Sequence, residues 1–192
     1  MSVFAGIRPL VRGGDGSKTA ALSRDHVVHI DKSGLITICG GKWTTYRKMA
    51  EDCVNQAATL AQLEDRPSIT GTLNIHGFHE SSETFGDLAV YGADAPEILK
   101  LADEDPSLAR RLHPDLPYIA AEVVWAVRRE MARTVEDVLA RRTRALFLNS
   151  RAAVKMAPAV AELMARELRT GEAWKSRQLA AFEAIAPNYQ LH

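Results

Sequence analysis

Two short apolar runs near the start of the chain, HVVHID (26–31) and LITICG (35–40), are rich in β-branched residues and joined by the turn signal Asp31-Lys-Ser-Gly34. That pattern predicts a β-hairpin. From Thr44 the period changes: Met49, Cys53, Ala57, Leu60 and Leu63 fall on one face and predict a helix to about Leu63. Upstream, MSVFAGIRPLV reads as an extended apolar segment in which Pro9 holds Arg8 out of any helix. The glycine- and serine-rich RGGDGSKTAAL after it reads as a loop. Pro67 and Gly71 make EDRPSITGTLNIHG a connector.

Beyond about Gly77 the pattern is helical throughout. Asp94-Ala-Pro-Glu97 has the form of a capping box and opens a helix to about Ala102. Pro106 starts a short turn through Arg111. Ile119, Val123, Val124, Val127 and Met131 form one stripe of a helix over Tyr118–Arg133. Thr134-Val-Glu-Asp137 opens the next, and Ser150 caps another that Pro158 should kink or restart before Leu168. Gly171 suits a helix C-cap, and a last helix covers Glu172 to Ile185. The expectation is a mainly α chain: a short N-terminal β-hairpin plus helix over residues 1–63, a connector over 64–76, and an all-helical domain over 77–192.

Composition narrows this picture. With 192 residues and 46% apolar content the chain has ample material for a core. Net charge is zero but unevenly spread: residues 1–50 carry eight Lys/Arg against three Asp/Glu, and residues 51–105 two against twelve. The basic, glycine-containing first segment suits a small anionic ligand. Nucleic acid is a poor fit, because the arginines of the C-terminal part lie among acidic neighbours with few aromatics. Cys39 and Cys53, without a CxxC pattern, read as reduced thiols. No apolar run approaches the ~18 residues of a membrane span. The expected location is the cytoplasm, with peripheral attachment to the inner face of the cytoplasmic membrane as the alternative.

The candidate chemistry centres on Gly40-Gly41-Lys42-Trp43-Thr44-Thr45, where a strand ends on two glycines and a helix begins. Glycines leave backbone N–H groups unshielded, and a helix start adds free donors and the positive end of its dipole. An anion or polarised carbonyl fits over Gly41 to Thr45. Arg8 and Arg24 lie on neighbouring short elements and suit bidentate phosphate or carboxylate recognition, with Lys42 as a point charge. A structural ion pair is the plainer explanation for either arginine alone. His26 and His29 point to opposite faces of a strand, and His76 and His79 lack further ligands at zinc spacing, so no metal is expected. Arg141-Arg-Thr-Arg144 reads as cationic compensation of a helix end. No GxGxxG opens a βαβ unit, so a dinucleotide diphosphate has no cradle in these residues.

Taken in order, FAGIRPLV, SRDHVVHID, SGLITICGGKWTTYRKMAED, TLNIHGF and LPYIAAEVVWAVRREMARTVEDVLARRTRALFLN resemble FAD-dependent glycerol-3-phosphate dehydrogenases across nearly the whole chain. The resemblance implies oxidation of sn-glycerol 3-phosphate to dihydroxyacetone phosphate by hydride transfer to FAD, with electrons passed to quinone, or to oxygen in some relatives. It implies that Arg8 and Arg24 bind substrate and that Lys42 sits beside flavin and substrate in a catalytic role shared with Arg8. Gly40, Gly41, Trp43, Thr44 and Thr45 would then line the pyrimidine side of the flavin ring. It further implies that residues from about Gly77 onward form a helical cap domain, and that a missing N-terminal half carries most FAD contacts. The chain is therefore expected to be inactive alone. The rival expectations are a non-catalytic helical interaction or homodimerisation module, a glycerol-3-phosphate oxidase, and a related flavin amine oxidase.

Overall fold

The computed structural model describes residues 1–7 and 25–190 and divides into two compact units. One is Gly6–Asn74; the other joins Met1–Ala5 to the residues from Ile75 onward.

In the first unit, β1 (His26–Ile30) pairs antiparallel with β2 (Ile36–Gly40), placing Val28 opposite Ile38 and His26 opposite Gly40. The Asp31 side chain closes the turn by accepting the N–H groups of Ser33 and Leu35. A 3-10 turn, Trp43–Thr45, leads into α1 (Tyr46–Leu60). Met49, Cys53 and Ala57 are half-buried, whereas Leu60 and Leu63 of the same stripe are exposed. The helix stops at Leu60 because Gln62 takes a left-handed conformation. Not one of residues 25–74 is fully buried.

The second unit holds the core. A 3-10 stretch, Ser82–Asp94, leads into α2 (Ala95–Glu104). Asp94 already has helical backbone angles, so its side chain makes no capping bond and is free to meet His76 Nε2 at 2.8 Å. A two-stranded hairpin, β3 (Arg111–His113) with β4 (Leu116–Ile119), follows, and α3 (Ala120–Arg129) begins directly from it. The helix read from Tyr118 thus starts two residues later, because Leu116–Ile119 are drawn into strand pairing. The segment Arg133–Leu148 contains a π-helical turn, Asp137–Arg142, and the short α4 (Ala145–Leu148). Then come α5 (Ser150–Leu168) and α6 (Glu172–Ile185). The helix read across Pro158 is continuous. Pro158 faces solvent, so its ring and the carbonyl it frees point away from the packed side. The left-handed C-cap of α5 is Arg169, and Gly171 instead precedes α6.

Helix α3 is buried on every side over Ala120–Val127, and only Arg128 and Arg129 in its last turn reach water. Val123, Ala126 and Val127 join a cluster with Leu139, Met156 and Phe182. Ala121, Val124 and Trp125 join a second cluster with Leu88, Ile98 and Leu108. Its one buried charge-bearing group is Glu122, 3% exposed, whose Oε2 accepts Ile119 N–H at 2.7 Å and whose Oε1 accepts the Tyr91 hydroxyl at 3.0 Å. Burial pushes the Glu122 carboxyl up, and burial beside that carboxyl pushes the Tyr91 phenol well up. Among the described residues, no helix is long and apolar enough to cross a membrane.

Thr134 and Asp137 form a reciprocal cap: Thr134 Oγ1 accepts Asp137 N–H at 3.0 Å, and Asp137 Oδ2 accepts Thr134 N–H at 2.9 Å. Asp137 Oδ2 also accepts Arg133 N–H, and Arg141 donates to Oδ1. Partial burial works to raise this carboxyl, but these hydrogen bonds and Arg141 outweigh it and hold the group below the usual carboxylate range. The folded value lies below the unfolded one, so the contribution is full above the unfolded value and is lost as pH falls through the folded value. Asp137→Ala is expected to cost about 1–2 kcal/mol near neutral pH, and its deficit to shrink below about pH 4. Urea unfolding at a series of pH values checks this; the same deficit at pH 3 and pH 7 would contradict the assignment.

Candidate functional site

Gly40, Gly41, Lys42, Trp43, Thr44 and Thr45 occupy the passage from β2 into α1. The Thr45 hydroxyl accepts Lys42 N–H at 3.1 Å and donates to Lys42 O at 3.0 Å, fixing the turn. Thr45 N–H also donates to Lys42 O, and Gly41 N–H to Asp25 O. The amides of Gly41, Lys42 and Thr45 are therefore engaged within the chain. Trp43 and Thr44 stand at the start of the turn, where backbone amides have no intrahelical acceptor. These two are donors that the geometry offers, and the Gly41 amide is not.

Gly41 also has a steric role that the sequence did not show. A Cβ at this position would lie 2.5 Å from Met49 Sδ and 3.2 Å from His26 Cβ, and φ is +74°. The positive φ favours glycine, and a side chain would also push Met49 aside and press on the His26 Cβ, so the missing side chain serves internal packing. Beside it, His26 Nε2 meets Asp52 Oδ2 at 3.0 Å, and Lys48 pairs with Asp52 Oδ1 at 2.8 Å. Lys48 holds the Asp52 carboxyl below its ordinary range. Arg47 and Lys48 together hold Glu51 at about 2. His26 is thus a packing and pairing residue on the inner side of the hairpin.

The outward side of the turn is open. Trp43 is 86% exposed, and its ring stacks on Tyr46 with centroids 5.6 Å apart and planes at 27°. Lys42 is exposed and makes no ion pair among the described residues. An uncovered aromatic pair, two free amides, an ammonium group and the positive end of a 15-residue helix form a donor set suited to a flat, electron-accepting ring edge or an anion. Arg8 and Arg24, the other two cations read from the sequence, lie outside the described residues.

Four arginines of the C-terminal part are taken up by contacts within the fold. Arg142 donates through Nε and Nη2 to Glu130 O, Arg133 Nη1 donates to Val127 O, and Arg128 forks onto Glu167. Arg129 lies over the Trp125 ring at 5.9 Å. Sequence reasoning had placed Arg141–Arg144 at a helix end in general terms, without the specific carbonyl that Arg142 closes.

Residues 35–175 match the family described as the C-terminal domain of alpha-glycerophosphate oxidase, and the chain belongs to that family. The mitochondrial glycerol-3-phosphate dehydrogenases of Rattus norvegicus and Homo sapiens are each 41% identical over 199 residues, covering 93% of this chain and 27% of theirs. The probable mitochondrial glycerol-3-phosphate dehydrogenase of Caenorhabditis elegans is 38% identical, covering 93% and 28%. The chain thus spans little more than a quarter of the length of these relatives. Among solved structures, the glycerol-3-phosphate dehydrogenase from Bacillus halodurans complexed with FAD matches with a TM-score of 0.66 and 27% identity, over 86% of this chain and 39% of that one. The family read from the sequence and the mainly α architecture both stand.

Because the Gly41 contact is steric, it is separable from ligand chemistry. Gly41→Ala is expected to lower the opening free energy of α1 amides by about 1–3 kcal/mol. In a Met49→Ala background the same substitution should cost less, about 1 kcal/mol, from the positive φ and the remaining contact with the His26 Cβ. Hydrogen exchange of α1 in the four variants reads this, and equal costs in both backgrounds would remove Met49 from the explanation.

Proposed function

We propose that the chain is the C-terminal part of an FAD-dependent glycerol-3-phosphate dehydrogenase, oxidising sn-glycerol 3-phosphate to dihydroxyacetone phosphate with quinone as electron acceptor. The observation that carries this reading is the open turn at Lys42–Thr45, which lies inside a region shared with dehydrogenases of that name over 93% of the chain. FAD, when bound, supplies the hydride acceptor. The chain's own residues supply charge and shape. Trp43 and Thr44 present backbone N–H groups at the helix start, where negative charge is favoured. Thr45 holds the turn rigid through its two bonds to Lys42. Lys42 offers an ammonium group to substrate, and Arg8 and Arg24 offer guanidinium forks that suit a phosphate.

This is half of a site. The sequence holds no diphosphate fingerprint, and Val27, Leu35, Val54, Leu60 and Trp43 are all left exposed in the hairpin-and-helix unit. Those side chains need cover from further protein, and the remaining flavin-binding portion of a longer enzyme is the partner that the reading supplies.

The chain alone is expected to bind no stoichiometric flavin and to reduce no dye with glycerol 3-phosphate. Combined with the flavin-binding portion, it should give activity that falls at least about 100-fold in kcat/KM on Lys42→Ala. A yellow, active isolated chain would overturn the half-site. Full activity in both Lys42→Ala and Arg8→Ala would leave the helical interaction module as the better account.

A further inference from the structure

His26 stands where β1, the end of β2 and helix α1 meet. It faces Gly40 across the hairpin, and Asp25 O beside it accepts Gly41 N–H at 3.2 Å. From there the imidazole reaches over to α1. Its Nε2 meets Asp52 Oδ2 at 3.0 Å, while Nδ1 lies 3.5 Å from Asp25 Oδ1. Lys48 holds Asp52 by the other oxygen, Oδ1, at 2.8 Å.

This bridge is the polar link between hairpin and helix nearest the Lys42 turn. The His26 and Asp52 side chains are 12% and 29% exposed, so water screens their bond less than it screens Lys48, which is 55% exposed. A hydrogen bond also has a direction, which the apolar contact of Met49 with Gly41 lacks. Thr45 fixes the turn internally through its two bonds to Lys42. What remains to be set is the spacing between the two elements that the turn joins, the end of β2 and the start of α1.

We propose that the His26–Asp52 bridge sets that spacing, with His26 as a positioning residue for Lys42 and for the amides of Trp43 and Thr44. The inference rests on the reading of Lys42 as the cation beside flavin and substrate. His26 acts from the inner side of the hairpin, through the turn. Groups that act on a reacting centre tolerate little displacement, and a misplacement of about 1 Å can cost about 100-fold in rate. A part-buried hydrogen bond behind the turn is the kind of support that prevents it.

The test has two arms. In the chain by itself, His26→Leu should raise hydrogen exchange at the Gly41 amide about tenfold while residues 152–165 of α5 keep their protection. Asp52→Ala breaks the same bridge from α1 and should match it. His26→Gln, which returns an N–H donor near the place of Nε2, should restore protection. In the assembled flavoenzyme, His26→Leu should lower kcat/KM for glycerol 3-phosphate, measured per bound flavin, about tenfold, and His26→Gln should rescue it. Added to Lys42→Ala, the His26→Leu change should have little further effect. Unchanged Gly41 exchange in both His26→Leu and Asp52→Ala, or no rescue by His26→Gln, would overturn the bridge. A Lys42→Ala loss with an additive or absent His26→Leu loss per flavin would overturn the positioning role and leave the site reading intact. No Lys42→Ala loss would remove the site reading and this inference with it.

Discussion

The helical unit depends on one constraint: over Ala120–Val127, α3 leaves no face to water. Val123 and Val127 must be covered on one side and Val124 and Trp125 on the other, so elements from before and after the helix are drawn onto it. Helix α5 covers one side and α2 with the 82–94 stretch covers the other. Glu122 is admitted to this interior only because Ile119 N–H and the Tyr91 hydroxyl both donate to it. Removal of either donor would leave a buried carboxyl with half its partners, which costs more than the bond itself is worth. Tyr91 and Ile119 are thus set in place by the same group that makes α3 awkward to bury.

The hairpin-and-helix unit obeys the opposite rule. Its residues are close enough to form elements but too few to bury any of them, and its cohesion comes from the Val28–Ile38 pair, Met49 over Gly41 and the ion pairs along α1. Trp43 and Lys42 stand exposed at its edge, and Lys42 makes no ion pair among the described residues.

Much of this was legible in the sequence. Alternation gave the hairpin, and 3.6-residue spacing with proline and glycine stops gave most helices, because those signals depend on the segment alone. The 111–119 hairpin was missed because β3 and β4 are three and four residues long, too short to show a period. Pro158 misled because its effect depends on which side of α5 faces solvent. Gly41 was read as a ligand contact, yet its neighbour Met49 sits eight residues on, and only the folded turn brings Sδ over it. Ser2, whose hydroxyl donates to Leu146 O and accepts Ser150 N–H, gave no signal at all, since these partners lie more than 140 positions away. Arg8 and Arg24 remain assignments carried by family pattern.

The π-helical turn at Asp137–Arg142 has a bearing on how this fold tolerates change. Its wider spacing, seen in the Thr143 N–H bond to Val138 O, stores the equivalent of one extra residue in a helical turn. Such a turn works as a phase adjuster. Deleting a single residue there would relax it to ordinary α geometry and leave the elements after it close to their present setting. Leu146, Met156 and Val160 would then still face the core they join. Ahead of its last third the chain carries one residue's worth of slack.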